Sequence, residues 1–433
     1  MNKGKYPAFY YGWVIIAVSI LTNMLVYGVR HSFSVFFPEI LDEFGWSRGS
    51  TALMMSINLL VYGLMAPVSG TLSDRWKPGI MMPVGVTLLA LALAGCSLAS
   101  QVWHFYILFG IFVPVGTALS GWPVLSPALM NWFATRRGLV LGLAQMGGGL
   151  SFVYGMVAES LILHVGWRQA YLVLAGVLVV ILLPLHRFIF RYRPESKGLK
   201  AYGSEDPKTG KPILDHVLPV DWTLHQMLRN GRLWLLVLSY FLFWGISVFL
   251  VLSHQIKFAK DVGYSGGFAV SIYALYGIAM FTGQLSGVIA DWIGREKAVI
   301  LSSILAIGGL MALITVRNVS HPWLFYGFAL SFGYGAGLYT VVIFAGAADI
   351  FHGKHFGTVS GMLLAGMGLG GAIGPWLGGY LYDIFRSYEN AFILCMVCIT
   401  LASVSFWIAA PRNADKSYYR PFKGTPVNIP TKS

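Results

Sequence analysis

Arg30 stands about two-thirds of the way along an apolar run over 13–37, in the stretch Tyr27-Gly28-Val29-Arg30-His31-Ser32-Phe33-Ser34-Val35-Phe36-Phe37. A cation inside hydrocarbon costs several kcal/mol on most scales, so such a residue faces a protein interior or a watery cavity and marks a substrate or ion path. A guanidinium keeps its charge at physiological pH and offers a two-pronged fork to a carboxylate. The chemistry expected of it is therefore capture of an anion. The bland alternatives are an arginine reaching an interface, or one paired structurally with Glu159. Two other titratable residues sit in apolar surroundings. His254 titrates near neutral pH and is a candidate proton relay, with an interfacial hydrogen-bonding role as the alternative. Glu159 is either a second proton carrier or the counter-ion of Arg30.

What must position these groups is a polytopic membrane scaffold. The 433 residues are 56% hydrophobic and only 11% charged, against about 25% charged in soluble domains. Twelve segments are long enough to span a bilayer: 13–37, 51–72, 80–99, 105–132, 138–164, 168–190, 233–257, 267–291, 297–316, 322–349, 356–382 and 388–410. A charged stretch over 191–232 interrupts them and reads as a cytoplasmic linker between a half at 1–190 and a half at 233–410, with a polar tail at 411–433. The run behind Lys3 and Lys5 continues far past a signal-peptide core, so the first span is expected to be retained.

The net charge of +13 does not point to nucleic acid. Of the 30 Lys and Arg residues, 23 fall in connections of one parity and 6 in the other. That bias is the positive-inside pattern and places both termini in the cytoplasm of a cell (inner) membrane protein. Cys96, Cys395 and Cys398 all lie in apolar runs and read as small packing residues. Cys395-x-x-Cys398 has a redox or metal spacing, but that chemistry needs solvent access and more ligands. With no phosphate-binding loop, nucleophile elbow or His/Asp/Glu cluster of metal-ligand spacing in the chain, neither enzyme chemistry nor a cofactor is expected.

The halves repeat. The stretch Leu41-Asp42-Glu43-Phe44-Gly45-Trp46-Ser47 returns as Ala259-Lys260-Asp261-Val262-Gly263-Tyr264-Ser265, and Gly70-Thr71-Leu72-Ser73-Asp74 returns as Gly287-Val288-Ile289-Ala290-Asp291. Trp103-His104-Phe105-Tyr106 matches Trp323-Leu324-Phe325-Tyr326, and Gly138 with Gly142 matches Gly357 with Gly361, at offsets between 217 and 220. Two six-helix halves in the same orientation are the architecture of the major facilitator superfamily, whose site lies near the midplane between them. The fold expected is thus all-α, with twelve transmembrane helices in two pseudo-symmetric bundles. Gly70-x-x-x-Asp74-Arg75 resembles that superfamily's signature, and Gly287-x-x-x-Asp291-x-x-Gly294-Arg295 its second copy. Asp74, Arg75, Asp291 and Arg295 are accordingly expected to act in gating.

A narrower resemblance rests on Tyr11-Gly12-Trp13, on Trp132-Phe133-Ala134-Thr135-Arg136-Arg137-Gly138-Leu139, and on Arg30 ahead of Val35-Phe36-Phe37. These runs resemble the monocarboxylate transporter family and its bacterial relatives, among them the oxalate/formate antiporters. The resemblance implies a secondary transporter for small carboxylates, by proton symport or anion exchange, working as a monomer in the bilayer. It also implies an arginine in the eighth span, where this chain instead has Tyr273, Tyr276, Met280 and Gln284. The expected substrate contacts are Arg30, Tyr276, Met280, Tyr334 and Tyr339, with His254 and Glu159 coupling protons. With a single clear intramembrane cation, monoanions are expected over dianions. A carrier of an uncharged or cationic solute on the same fold, and a non-transporting receptor, remain as competing classes.

Overall fold

The computed structural model describes residues 10–75, 78–133, 137–204, 224–351, 356–409 and 411. Among these the secondary structure is helical, apart from one isolated bridge between Phe133 and Tyr202. Eleven helical segments are long and apolar enough to cross a membrane. One of them, Gly142–Ile189, is 48 residues long. A straight helix of that length would run about 72 Å, more than twice a bilayer core. Gly166, at φ 80° and ψ 158°, breaks it into two crossings. A side chain would be strained at that φ, which is why the turn falls on a glycine. Twelve crossings result among the described residues.

In chain order these are α1 (Gly12–Phe44), α2 (Arg48–Arg75), α3 (Pro78–Ser97), α4 (Val102–Trp132), α5 (137–165) and α6 (167–189). The second set is α7 (Gly231–Val262), α8 (Gly266–Leu285), α9 (Arg295–Thr315), α10 (Trp323–Ile350), α11 (Phe356–Phe385) and α12 (Glu389–Ala409). Within the first set α3 packs on α4 and α6, and α1 on α5; within the second, α9 packs on α10 and α12, and α8 on α10. Large apolar side chains point outward, Val180 at 73% and Leu163 at 72% exposure among them. That is the surface a lipid-solvated bundle presents.

The two sets meet along α2 and α11, and along α5 and α8. Glycines set the closeness of both seams. A Cβ on Gly63 would come 2.9 Å from the Cα of Gly368, and one on Gly149 would come 3.0 Å from the Phe281 side chain. Small residues at helix seams let backbones approach where lipid supplies no hydrophobic drive.

Candidate functional site

The ladder of α1 breaks at Ser32, directly after Arg30 and His31. Val35 N–H turns to the carbonyl of Ser32 at 2.8 Å rather than to that of His31. The freed His31 carbonyl accepts from Tyr273 Oη at 2.9 Å, a bond from α8 in the other half. The break thus opens backbone at the seam between the halves, where a hydrogen-bond partner is at hand.

Arg30 is 3% exposed, and its Nε and Nη2 are buried without a hydrogen-bond partner. Its guanidinium carbon lies 4.0 Å from the ring centroid of Tyr62 and 5.2 Å from that of Tyr27. Such a cation–π contact is worth about 2 kcal/mol when desolvated, less than the cost of burying the charge. The two hydroxyls, Tyr27 Oη and Tyr62 Oη, bond to each other at 2.8 Å. Tyr62 stands midway along the 28-residue α2, so Arg30 lies near mid-membrane depth. Two donor nitrogens on a buried cation, with ring faces and among the described residues no acid beside it, leave that charge without a compensating anion.

His31 follows on the same turn. Its ring stacks on Phe152 of α5 at 4.0 Å between centroids and on Tyr27 at 6.2 Å. Phe152 in turn meets Tyr273 and Tyr276 of α8 edge-on, at 5.1 and 5.0 Å. Tyr276 Oη is buried and unpartnered. Met280 lies one turn further along α8, its carbonyl 2.0 Å from where a Cβ on Gly337 of α10 would sit.

The other residues singled out from the sequence lie elsewhere. Tyr339 is fully buried, but its hydroxyl bonds Ser239 Oγ at 2.6 Å, and Ser239 donates to the Ala402 carbonyl. Its polar end is therefore used inside the second bundle, between α7, α10 and α12. Tyr334 lines a groove of about 430 Å³ with Ala279, Thr282, Leu305, Leu330 and Ser331, on the outward side of α8, α9 and α10. Neither residue joins Arg30.

Glu159 and His254 belong to the end of the molecule opposite Gly12 and Ala409, here the distal end. Glu159 packs its Oε1 against Gly266 at the start of α8, so closely that a Cβ there would be 2.2 Å away. It is Lys260, not Arg30, that stands beside it, and Lys260 pairs with Glu39 of α1 at 2.8 Å. The positive end of α8 also suits this carboxylate. His254 has both ring nitrogens engaged: Nε2 donates to the Pro375 carbonyl at 2.8 Å, and Nδ1 accepts from Tyr388 Oη at 3.1 Å. Tyr388 Oη accepts from Arg48, which also pairs with Asp261 at 2.5 Å. Lys257 pairs with Asp42 at 2.9 Å, and the amides of Arg48 and Gly49 bond Asp383. Acids of α1 thus meet lysines of α7, and the arginine opening α2 meets acids of α7 and α11, which ties the halves together at this end.

Of the expected gating residues, Arg295 donates from Nε to Asp349 at 2.9 Å, linking α9 to α10 in the same half. The side chains of Asp74, Arg75 and Asp291 lie outside the described residues. Among the described residues no cluster of His, Cys, Asp and Glu could hold a metal ion.

Tyr27, Tyr62, His31, Ser151 and Phe152 were not assigned to the site from sequence. The i, i+3 and i+4 spacing of Tyr27, Arg30 and His31 on one helix face was the available signal. Tyr62 and Phe152 reach the site across helices, where spacing along the chain says nothing.

The comparisons with known proteins agree with this architecture. Monocarboxylate transporter 13 from Bos taurus is 27% identical over 89% of this chain and 86% of that protein. Monocarboxylate transporter 11 from Mus musculus is also 27% identical, over 93% of this chain and 88% of its own length. Among solved structures, a bacterial homologue of the human lysosomal transporter Spinster superposes with a TM-score of 0.71, at 17% identity, covering 96% of this chain and 100% of that one. The family description Major Facilitator Superfamily matches residues 17–343 and 319–429. With twelve crossings among the described residues, two halves repeated in sequence and that match over most of its length, the chain belongs to the Major Facilitator Superfamily of membrane transporters.

Proposed function

We propose that this transporter moves small monocarboxylates, with Arg30 as the anion contact, by alternating access coupled to protons or to a counter-anion. The observation that carries the reading is the buried guanidinium of Arg30, with two donor nitrogens unpaired and, among the described residues, no acid beside it, at the seam between the halves. A carboxylate entering there would bring two acceptor oxygens to waiting donors and cancel the buried charge. The resemblance to monocarboxylate transporters along almost the whole chain supports the same class. Tyr62, Tyr27 and Phe152 would flank the anion, with Tyr276 and Met280 toward its apolar tail. The basic bias of the connections supports cytoplasmic termini in the cell (inner) membrane, which makes the ion-paired distal end the outward one.

Uptake of radiolabelled mono- and dicarboxylates into proteoliposomes, with and without a pH gradient, tests this reading. Saturable uptake of pyruvate or lactate that a monocarboxylate competes away would support it. Transport of a cationic or uncharged solute, indifferent to carboxylates, would replace it by the alternative class.

A further inference from the structure

Ser151 of α5 decides which nitrogen of His31 carries its proton. Ser151 Oγ donates to the Gly148 carbonyl at 2.5 Å and lies 2.7 Å from His31 Nδ1. The hydroxyl proton is spent on Gly148, so Nδ1 must be the donor to Ser151 and Nε2 holds the free lone pair. Among the described residues no group pairs with Nε2, it is absent from the sealed polar atoms, and His31 keeps 9% of its surface exposed. A basic nitrogen therefore opens onto accessible space one residue from the unpaired guanidinium of Arg30, with the ring of Tyr27 touching both.

We propose that His31 Nε2 is the proton acceptor of this site, filled only when a carboxylate occupies Arg30. The proposal rests on the reading of Arg30 as the anion contact. The groups that face His31 are Tyr27 and Arg30 from its own helix, Ser151 and Phe152 from α5, and Tyr273 from α8, with Tyr62 of α2 reaching it through Tyr27. Arg30 is the charged member of that set. Glu39 and Glu159 stand eight residues along their helices, about 12 Å away, where Glu39 pairs with Lys260.

In the empty site a proton on His31 would set two cations side by side in a low dielectric, which disfavours it. A carboxylate on Arg30 cancels that field. One proton from water then bonds to the Nε2 lone pair, both ring nitrogens become donors, and Nε2–H can reach a carboxylate oxygen. The site holds one net positive charge empty and the same charge loaded. When the anion leaves on the other side, the field of Arg30 returns and the proton goes back to water with it. One proton then accompanies each anion.

The experiment measures proton uptake and affinity on adding pyruvate, with formate and acetate as further probes, to the full-length protein in nanodiscs across pH. Between the titrations of the empty and the loaded histidine, wild-type protein is expected to take up about one proton per anion and its affinity to fall about tenfold per pH unit. His31→Asn keeps a donor toward Ser151 without a titrating nitrogen; it should take up about zero protons and lose that slope. Uptake of a full proton by His31→Asn would overturn the proposal. Should that variant not fold, histidine nitrogen NMR of the wild type serves instead, with the His31 signal identified by its shift in Ser151→Ala. A neutral Nδ1–H ring that becomes imidazolium on adding pyruvate supports the proposal, and a ring that stays neutral overturns it. Wild type binding none of the three anions would overturn the reading of Arg30 and this inference with it. Arg30-dependent binding without proton uptake would overturn the inference alone.

Discussion

The guanidinium carbon of Arg30 lies 4.0 Å from the centroid of the Tyr62 ring, and the Tyr62 hydroxyl also bonds that of Tyr27. The arginine is thus held by an aromatic face, which stabilises the cation while Nε and Nη2 stay without partners. An acid in the same place would have spent those donors. Tyr62→Phe should therefore bind a carboxylate within about threefold of wild type, because the ring face survives, whereas Tyr62→Ala should weaken binding about tenfold or more. Competition binding of pyruvate by the purified variants measures both. Equal affinity in Tyr62→Ala and wild type would show that the ring does not hold the arginine in place.

His254 gives a different expectation from the one its sequence context suggests. With Nε2 on Pro375 and Nδ1 on Tyr388, it bridges α7 and α11 and reaches Arg48 through the tyrosine hydroxyl. His254→Gln should leave the pH profile of uptake intact and lower thermal stability by about 1–3 kcal/mol, the cost of buried polar groups losing partners. A flattened pH profile with unchanged stability would return His254 to proton coupling.

The packing of α8 on α10 is set by glycine. A Cβ on Gly337 would lie 2.0 Å from the Met280 carbonyl, and one on Gly283 would lie 2.2 Å from the Tyr334 carbonyl. Backbone cannot yield as a flexible side chain does, so Gly337→Ala or Gly283→Ala should cost at least about 1–3 kcal/mol. Melting in detergent, followed by scattering or intrinsic fluorescence, reads this directly. A melting point within a degree of wild type for both variants would contradict the account of that seam.

Substrate charge follows from the count of available cations. Lys257 and Lys260, the lysines of α7, are paired with Asp42 and Glu39 at the distal end and do not reach Arg30. A second uncompensated carboxylate beside Arg30 should cost several kcal/mol. Lactate or pyruvate should therefore outcompete succinate and oxalate at neutral pH, with the dianions gaining as pH falls. Succinate winning at neutral pH would require a second cation in the site.

Much of the scaffold was legible in the sequence because bilayer physics acts on local composition. The span boundary between 164 and 168 falls on the break at Gly166. Arg30 was legible for the same reason, as a charge where apolar residues are required. The partners were not. Tyr339 and Tyr334 carry the right chemistry at the right depth, but rotation about α10 aims one at Ser239 and the other at an outward groove. Glu159 has no sequence neighbour that reveals Lys260, which reaches it from α7. Side-chain direction around a membrane helix depends on which neighbour packs against it, and a single chain read along its length does not encode that contact openly.

The central claim is that Arg30 holds the substrate's carboxylate through its two unpaired donors. The most direct test is the affinity of purified Arg30→Gln and Arg30→Lys for pyruvate, read beside wild type at one pH. Loss of two charge-assisted hydrogen bonds, each worth at least about 1.5 kcal/mol, should weaken Arg30→Gln about a hundredfold or more. Arg30→Lys keeps the charge without the fork and should fall between, about tenfold weaker than wild type. Arg30→Gln binding pyruvate as tightly as wild type would contradict the account.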